Sequence, residues 1–125
     1  MELVDANIIL RYLLNDQPEQ TSTAGDILEN HQVKIPFEVV AEVVYVLSGV
    51  YRISREEISR GILLLLTLQN ISTDNPKVLE KALELYARTG VDFVDALLCA
   101  RHTVNGNTVH TFDRKLQNLM KSENP

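Results

Sequence analysis

The sequence holds a single cysteine, Cys99, so no internal disulfide is available and nothing calls for an oxidising compartment. Set in an apolar stretch, that thiol reads as a small buried hydrophobe rather than a nucleophile. No basic segment precedes the apolar start, which Asp5 interrupts, so a secretory leader is not expected. The longest apolar run, Ile62 to Leu66, is far too short to span a bilayer. A cytoplasmic location with no membrane association is therefore expected. The three histidines, His31, His102 and His110, are scattered without the spacing of a metal site. No repeat, low-complexity tract or Pro/Gly-rich linker divides the chain. Basic charge is also scarce. Twelve Lys and Arg against 17 Asp and Glu leave a formal net charge of −5, without the global basic footprint of a typical DNA-binding domain. A local groove or bound metal ions can still offset that balance.

What is present is ordinary for a globular protein: 125 residues, 45% hydrophobic and 23% charged. That length fits one domain over residues 1–125, able to bury roughly two thirds of the unfolded surface. Short β-like runs alternate with longer helical patterns. Leu3-Val4, Val33-Lys34-Ile35, Ile71-Ser72-Thr73 and Thr108 to Phe112 are the strand candidates. Helices are expected over Ala6 to Asn15, from Pro18 to near His31, and from Phe37 to Leu47, where Ser48-Gly49 ends the pattern. Ser54 and Glu57 form a capping box that opens a helix through Leu68. Asn75-Pro76 starts one that stops near Gly90, and Asp92 to Val104 and Asp113 to Met120 complete the set. Strands separated by helices imply an α/β fold, a parallel sheet of four or five short strands with about seven helices on its two faces. The run Ile62 to Leu66 is apolar around most of its circumference and is read as core in preference to interface.

Ligands of an open α/β sheet bind beyond the carboxyl ends of the strands. Asp5 follows the first strand and Asp113 follows the last, which places both at one sheet edge although each can also cap its helix. Glu42 sits among valines at the border of an apolar helix face, costly for a carboxylate without a partner unless it is a flanking surface charge. Asp92 and Asp95 share one face at a helix start, where they fit a cap and its third residue, yet Asp95 leads into the buried stretch Ala96 to Ala100. If Asp5, Glu42, Asp95 and Asp113 converge, they repel, and a hard divalent cation relieves the repulsion. Oxygen donors without a Cys or His cluster select Mg²⁺ or Mn²⁺ over zinc. Two such ions would bring the formal charge from −5 to about −1, attractive to phosphate.

These residues carry a family resemblance over nearly the whole chain. Val4-Asp5-Ala6-Asn7-Ile8-Ile9-Leu10-Arg11 resembles the opening strand and helix of PIN domains, in particular the VapC-type toxins. Glu42 in Ala41 to Leu47, Asp95 in Phe93 to Leu98 and Asp113 in Thr111-Phe112-Asp113 match in order and spacing. The resemblance implies a PIN-like three-layer domain. It also implies a metal-dependent ribonuclease with Asp5, Glu42, Asp95 and Asp113 as its acidic site, a cognate antitoxin and a homodimer. Asn7, Thr111 and Asp92 are outer-shell candidates, and Arg11, Arg101 and Arg114 flank the acids as candidates for the RNA backbone. Ala6 departs from the pattern, in which Ser or Thr is common. Two other functions are compatible with parts of the sequence. A phospho-acceptor receiver domain would use Asp74 after a central strand, but Asp113-Arg114 stands where a Lys is needed. A catalytically silent PIN-like module would bind RNA or protein without metal.

Overall fold

The computed structural model describes residues 1–123, which divide into two compact units, Met1–Asp74 and a second beginning at Asn75. The first unit runs β1 (Glu2–Leu3), α1 (Ala6–Leu14), α2 (Pro18–Asn30), β2 (Val33–Ile35), α3 (Phe37–Gly49), α4 (Arg55–Leu66) and β3 (Ile71–Thr73). Its sheet is wholly parallel in the order β1-β2-β3. Glu2 pairs with Val33, which pairs in turn with Ile71. Parallel strands demand helical crossovers, and each neighbouring pair here is joined by two helices. Ile9, Leu28, Val33, Ile35, Val43, Val44 and Ile58 are almost fully buried and form this unit's core.

Local chemistry fixes the element ends. Asp5 caps α1 by accepting from the Ile8 amide at 3.2 Å. Pro18 opens α2 with the φ a first helical turn needs. Ser54 Oγ accepts from the Glu57 amide at 3.2 Å, as the capping-box pattern predicts. Asn70 Nδ2 donates to the Leu28 and His31 carbonyls, each at 2.7 Å, and so ties the approach to β3 to the end of α2. Helix α3 begins at Phe37, and Pro36 ahead of it has no side-chain cap to offer. That duty falls to Asp74, whose Oδ2 accepts from the Phe37 amide at 2.9 Å while Oδ1 pairs with Lys34 Nζ at 3.1 Å. Asp74→Ala is therefore expected to cost about 1 kcal/mol, a cap's usual worth, and to lower the melting temperature by a few degrees, with Asp74→Asn recovering most of it.

The second unit is helical: α5 (Pro76–Arg88), α6 (Phe93–Asn105) and α7 (Arg114–Glu123). Asn75 Oδ1 accepts from the Val78 amide at 3.2 Å and Pro76 takes the first turn, so the α5 start follows from sequence alone. Gly106 closes α6 in the left-handed conformation at φ 74°, a position where a Cβ would be strained. Leu79, Leu83, Leu85, Phe93 and Leu116 are almost fully buried, and Phe93 meets Tyr86 edge-to-face with ring centroids 5.9 Å apart.

At the end of α7, Glu123 Oε1 is held by Lys81 Nζ at 2.8 Å and Arg88 Nη2 at 3.0 Å, with Glu84 bonded to both cations. These cations hold the Glu123 carboxyl below its ordinary range, the Lys81 hydrogen bond contributing most. A depressed folded pKa gives stability that is full above the unfolded value near pH 4 and is lost as pH falls through the folded value. Glu123→Gln is expected to lower the melting temperature by a few degrees at pH 7, and the gap to narrow at pH 3.5. Thermal scans of both proteins at the two pH values check this.

Three expectations need correction. The sheet has three strands among the described residues, not four or five. Thr108 to Phe112 is not a strand: Thr111 and the residues that flank the segment bond locally. His102 Nδ1 bonds the Asn107 carbonyl at 2.8 Å, Gln117 Nε2 donates to the Thr111 carbonyl at 2.7 Å, and the Asp113 amide donates to Thr111 Oγ1 at 3.0 Å. Helix α3 also continues through Ser48 to Gly49, because its turn is closed by the Val50 amide on the Val46 carbonyl. The run Ile62 to Leu66 divides: Ile62 and Leu65 are buried, whereas Leu64 is 62% exposed. Among the described residues no helix is long and apolar enough to cross a membrane.

Candidate functional site

In the first unit, Asp5 stands just beyond β1 at the start of α1 and is exposed. One of its oxygens is engaged by the Ile8 amide, which fixes the carboxylate's direction and leaves the other oxygen to face solvent. Capping and ligand binding are thus compatible in one residue. Ala6 is buried as the first residue of α1, so a small apolar side chain fills the place where a hydroxyl would otherwise stand. Asn7 is exposed on the same turn and lines an open groove with Ile8, Arg11, Glu19, Gln20 and Thr23. Glu42 lies on the exposed side of α3, with Glu38 one turn before it and Tyr45 one turn after, not wedged among the valines.

Arg11 has a different setting from the one expected of an RNA contact. It is buried, with Nη1 on Asp16 Oδ1 at 2.9 Å and Nη2 on the Tyr51 hydroxyl at 3.0 Å. The Tyr51 hydrogen bond contributes most to holding the guanidinium protonated. This residue braces α1 against the segment that follows α3.

The second unit carries Asp92, Asp95 and Asp113. Asp92 occupies the N-cap position of α6, yet its side chain makes no capping hydrogen bond. Its carboxylate is therefore not spent on the helix end. Asp95, one turn on, is half-buried. Its carboxyl is pushed above the ordinary range first by burial, then by repulsion from Asp113 and Asp92, while Lys115 opposes the shift. Asp113 is exposed and caps α7 by accepting from the Leu116 amide at 3.0 Å, and Thr111 Oγ1 holds the Asp113 amide. Thr111 thus holds the Asp113 backbone. The strand-end argument for Asp113 does not hold, since no strand precedes it; what ties Asp113 to Asp95 is electrostatic coupling.

The remaining cations sort by setting. Arg101 is half-buried on α6, and Arg114 is exposed as the first residue of α7. Lys115, absent from the sequence-based candidates, donates to the Gly90 carbonyl at 2.9 Å and is the cation felt by Asp95. Its position two residues after Asp113 was the available signal. His31 bonds Glu2 and His102 bonds the Asn107 carbonyl, each through Nδ1.

Among the described residues of each unit, no three His, Cys, Asp or Glu side chains are gathered around one point. The donor chemistry nonetheless fits a hard divalent cation. The acids are all-oxygen donors, and the mutual repulsion of Asp95, Asp113 and Asp92 is what a cation would relieve.

Comparison with known proteins adds two findings. The family described as PIN domain matches residues 3–121. The VapC ribonuclease of Aquifex aeolicus (strain VF5) is 26% identical over 132 aligned positions, covering 100% of this chain and 97% of that protein. No solved structure is significantly similar to the chain.

Proposed function

The chain belongs to the PIN domain family, and on that premise we propose that it is a divalent-metal-dependent ribonuclease, the toxin of a toxin–antitoxin pair. The observation that carries this reading is the perturbed Asp95, a half-buried carboxyl raised by burial and by two neighbouring aspartates, on a chain aligned end to end with a VapC ribonuclease. Residues 1–125 act as one catalytic domain. The acids that would serve Mg²⁺ or Mn²⁺ are Asp5 and Glu42 in the first unit and Asp95 and Asp113 in the second, with Asp5 and Asp95 as the principal donors. When bound, such a cation supplies charge to orient the scissile phosphate and makes water nucleophilic at neutral pH.

The chain's own residues do the positioning. The Ile8 and Leu116 amides each hold one oxygen of Asp5 and Asp113, so these carboxylates need little reorganisation on binding. Thr111 holds the Asp113 backbone, Asp92 adds a further carboxylate close enough to be felt by Asp95, and Asn7 can orient a water beside Asp5. Arg101 and Arg114 are the candidates for the RNA backbone. Tyr45 and Leu64, 51% and 62% exposed on α3 and α4, offer apolar area for a homodimer or for the antitoxin. The protein works in the cytoplasm, where its RNA substrate is.

Cleavage of a mixed single-stranded RNA pool by the purified protein tests this reading. Cutting with Mn²⁺ or Mg²⁺ that stops in EDTA is the expected result. A folded protein that cuts no RNA, including a transfer-RNA panel, would reject it.

A further inference from the structure

Phe112 is 103% exposed, more than any other aromatic residue described. An exposed phenylalanine forgoes the burial that normally stabilises a fold, and its ring takes no part in the one ring pair described, Tyr86 with Phe93. The residues on either side of it are nevertheless pinned by hydrogen bonds. On one side Thr111 accepts from Gln117 Nε2 at 2.7 Å and from the Asp113 amide at 3.0 Å; on the other, Asp113 accepts from the Leu116 amide at 3.0 Å. A fixed base with an outward ring is a preorganised contact, which spares the entropy of ordering it on binding. Beside the ring runs an open groove lined by Val109, His110, Thr111 and Gln117.

We propose that the Phe112 ring is a stacking platform for an unpaired RNA base next to the phosphodiester that is cut. The proposal rests on the ribonuclease reading and names the part of the substrate that this segment takes. The next residue in the chain is Asp113, coupled to Asp95, so the ring is one residue from the acids assigned to the cation. His110, Asp113, Arg114 and Lys115 around it are all exposed. Covering a lone ring with the apolar face of a protein would desolvate those charges, whereas a base needs only a π-face and leaves its phosphates to Arg114 and Lys115. Because every base has such a face, the ring selects unpaired over paired RNA and not one base over another.

The test uses the full chain and a single-stranded RNA oligonucleotide carrying 2-aminopurine, with EDTA or Ca²⁺ to prevent cutting. Wild type is expected to bind and quench the probe. Phe112→Ala is expected to bind about 5- to 100-fold more weakly and to lose the quenching, with an unchanged melting temperature because the ring supports no packing. Phe112→Tyr and Phe112→Trp should keep both signals, and Phe112→Leu, apolar without a π-face, should not. Unaltered binding by Phe112→Ala, or rescue by leucine, overturns the stacking role while leaving a wild type that cuts RNA as a ribonuclease. A wild type that neither binds nor cuts removes both readings. Loss of a protein partner in Phe112→Ala, with RNA binding intact, assigns the ring to that partner instead.

Discussion

Replacing Asp95 by asparagine is expected to lower RNA cleavage by about a thousand-fold or more while the protein stays folded. Asparagine keeps the shape of the side chain but removes the charge and replaces one carboxylate oxygen by an NH2 donor, so a change in rate reports the loss of the carboxylate and not of volume. The effect on stability has a sign that separates this residue from a structural acid. Burial first, then Asp113 and Asp92, raise the Asp95 carboxyl above its ordinary value. A raised folded pKa means that the ionised form is costly in the fold. The cost is absent below the unfolded pKa near 4, grows as pH rises through the window up to the folded value, and is full above it. In EDTA at neutral pH, Asp95→Asn should therefore melt at or above the wild-type temperature, and the difference should vanish at pH 3.5. Added Mn²⁺ should raise the wild-type melting temperature and move the variant less. Paired cleavage and thermal assays check both parts. A variant that cuts like wild type would remove Asp95 from the chemistry, and one that unfolds in EDTA would make it a structural acid.

The same residues show what sequence can and cannot deliver. Helix starts were readable because caps are local: Asp5, Ser54, Asn75 and Asp113 each accept the amide three residues on, a relation set by spacing alone. The cap on α3 was not readable, since Asp74 serves Phe37 from 37 residues away and only the β2–β3 pairing brings them together. Thr108 to Phe112 has strand-like composition, but Gln117 takes the Thr111 carbonyl, and the Asn107 carbonyl and Asp113 amide that flank the segment are taken by His102 and Thr111 Oγ1 instead of a ladder. Periodicity put Glu42 at the edge of an apolar face, and a small error in its rotation moved it from border to solvent. Arg11 was a candidate for the RNA backbone because it follows Asp5 in sequence; its pairing with Asp16 and Tyr51 and the burial of its guanidinium follow only from the fold. The order of Asp5, Glu42, Asp95 and Asp113 along the chain was readable as a family resemblance, whereas the repulsion that Asp113 and Asp92 exert on Asp95 is a property of three dimensions.

The largest loss of stability is expected from Phe93→Ala. The ring is fully buried at the first turn of α6 and meets Tyr86 at 83° with centroids 5.9 Å apart. Truncation removes the transfer energy of the ring and leaves a cavity, together about 3–5 kcal/mol, and it also forfeits an edge-to-face pair. Against a total of about 5–15 kcal/mol for a small protein, that is a large fraction, and the urea midpoint should fall by about 1 M or more. Phe93→Leu restores most of the volume without the ring and should lose roughly 1–1.5 kcal/mol, the part belonging to shape and the aromatic pair. The functional consequence follows from position. Phe93 lies between Asp92 and Asp95, so the ring in its socket sets the direction in which the first turn of α6 presents both carboxylates. Folded Phe93→Leu is expected to cut RNA more slowly than wild type at saturating Mn²⁺, since small misplacements of catalytic groups are costly in rate. Equal rates would mean that the turn is positioned by its backbone and by Val91 and Ala96, both buried beside it, and that Phe93 serves stability alone.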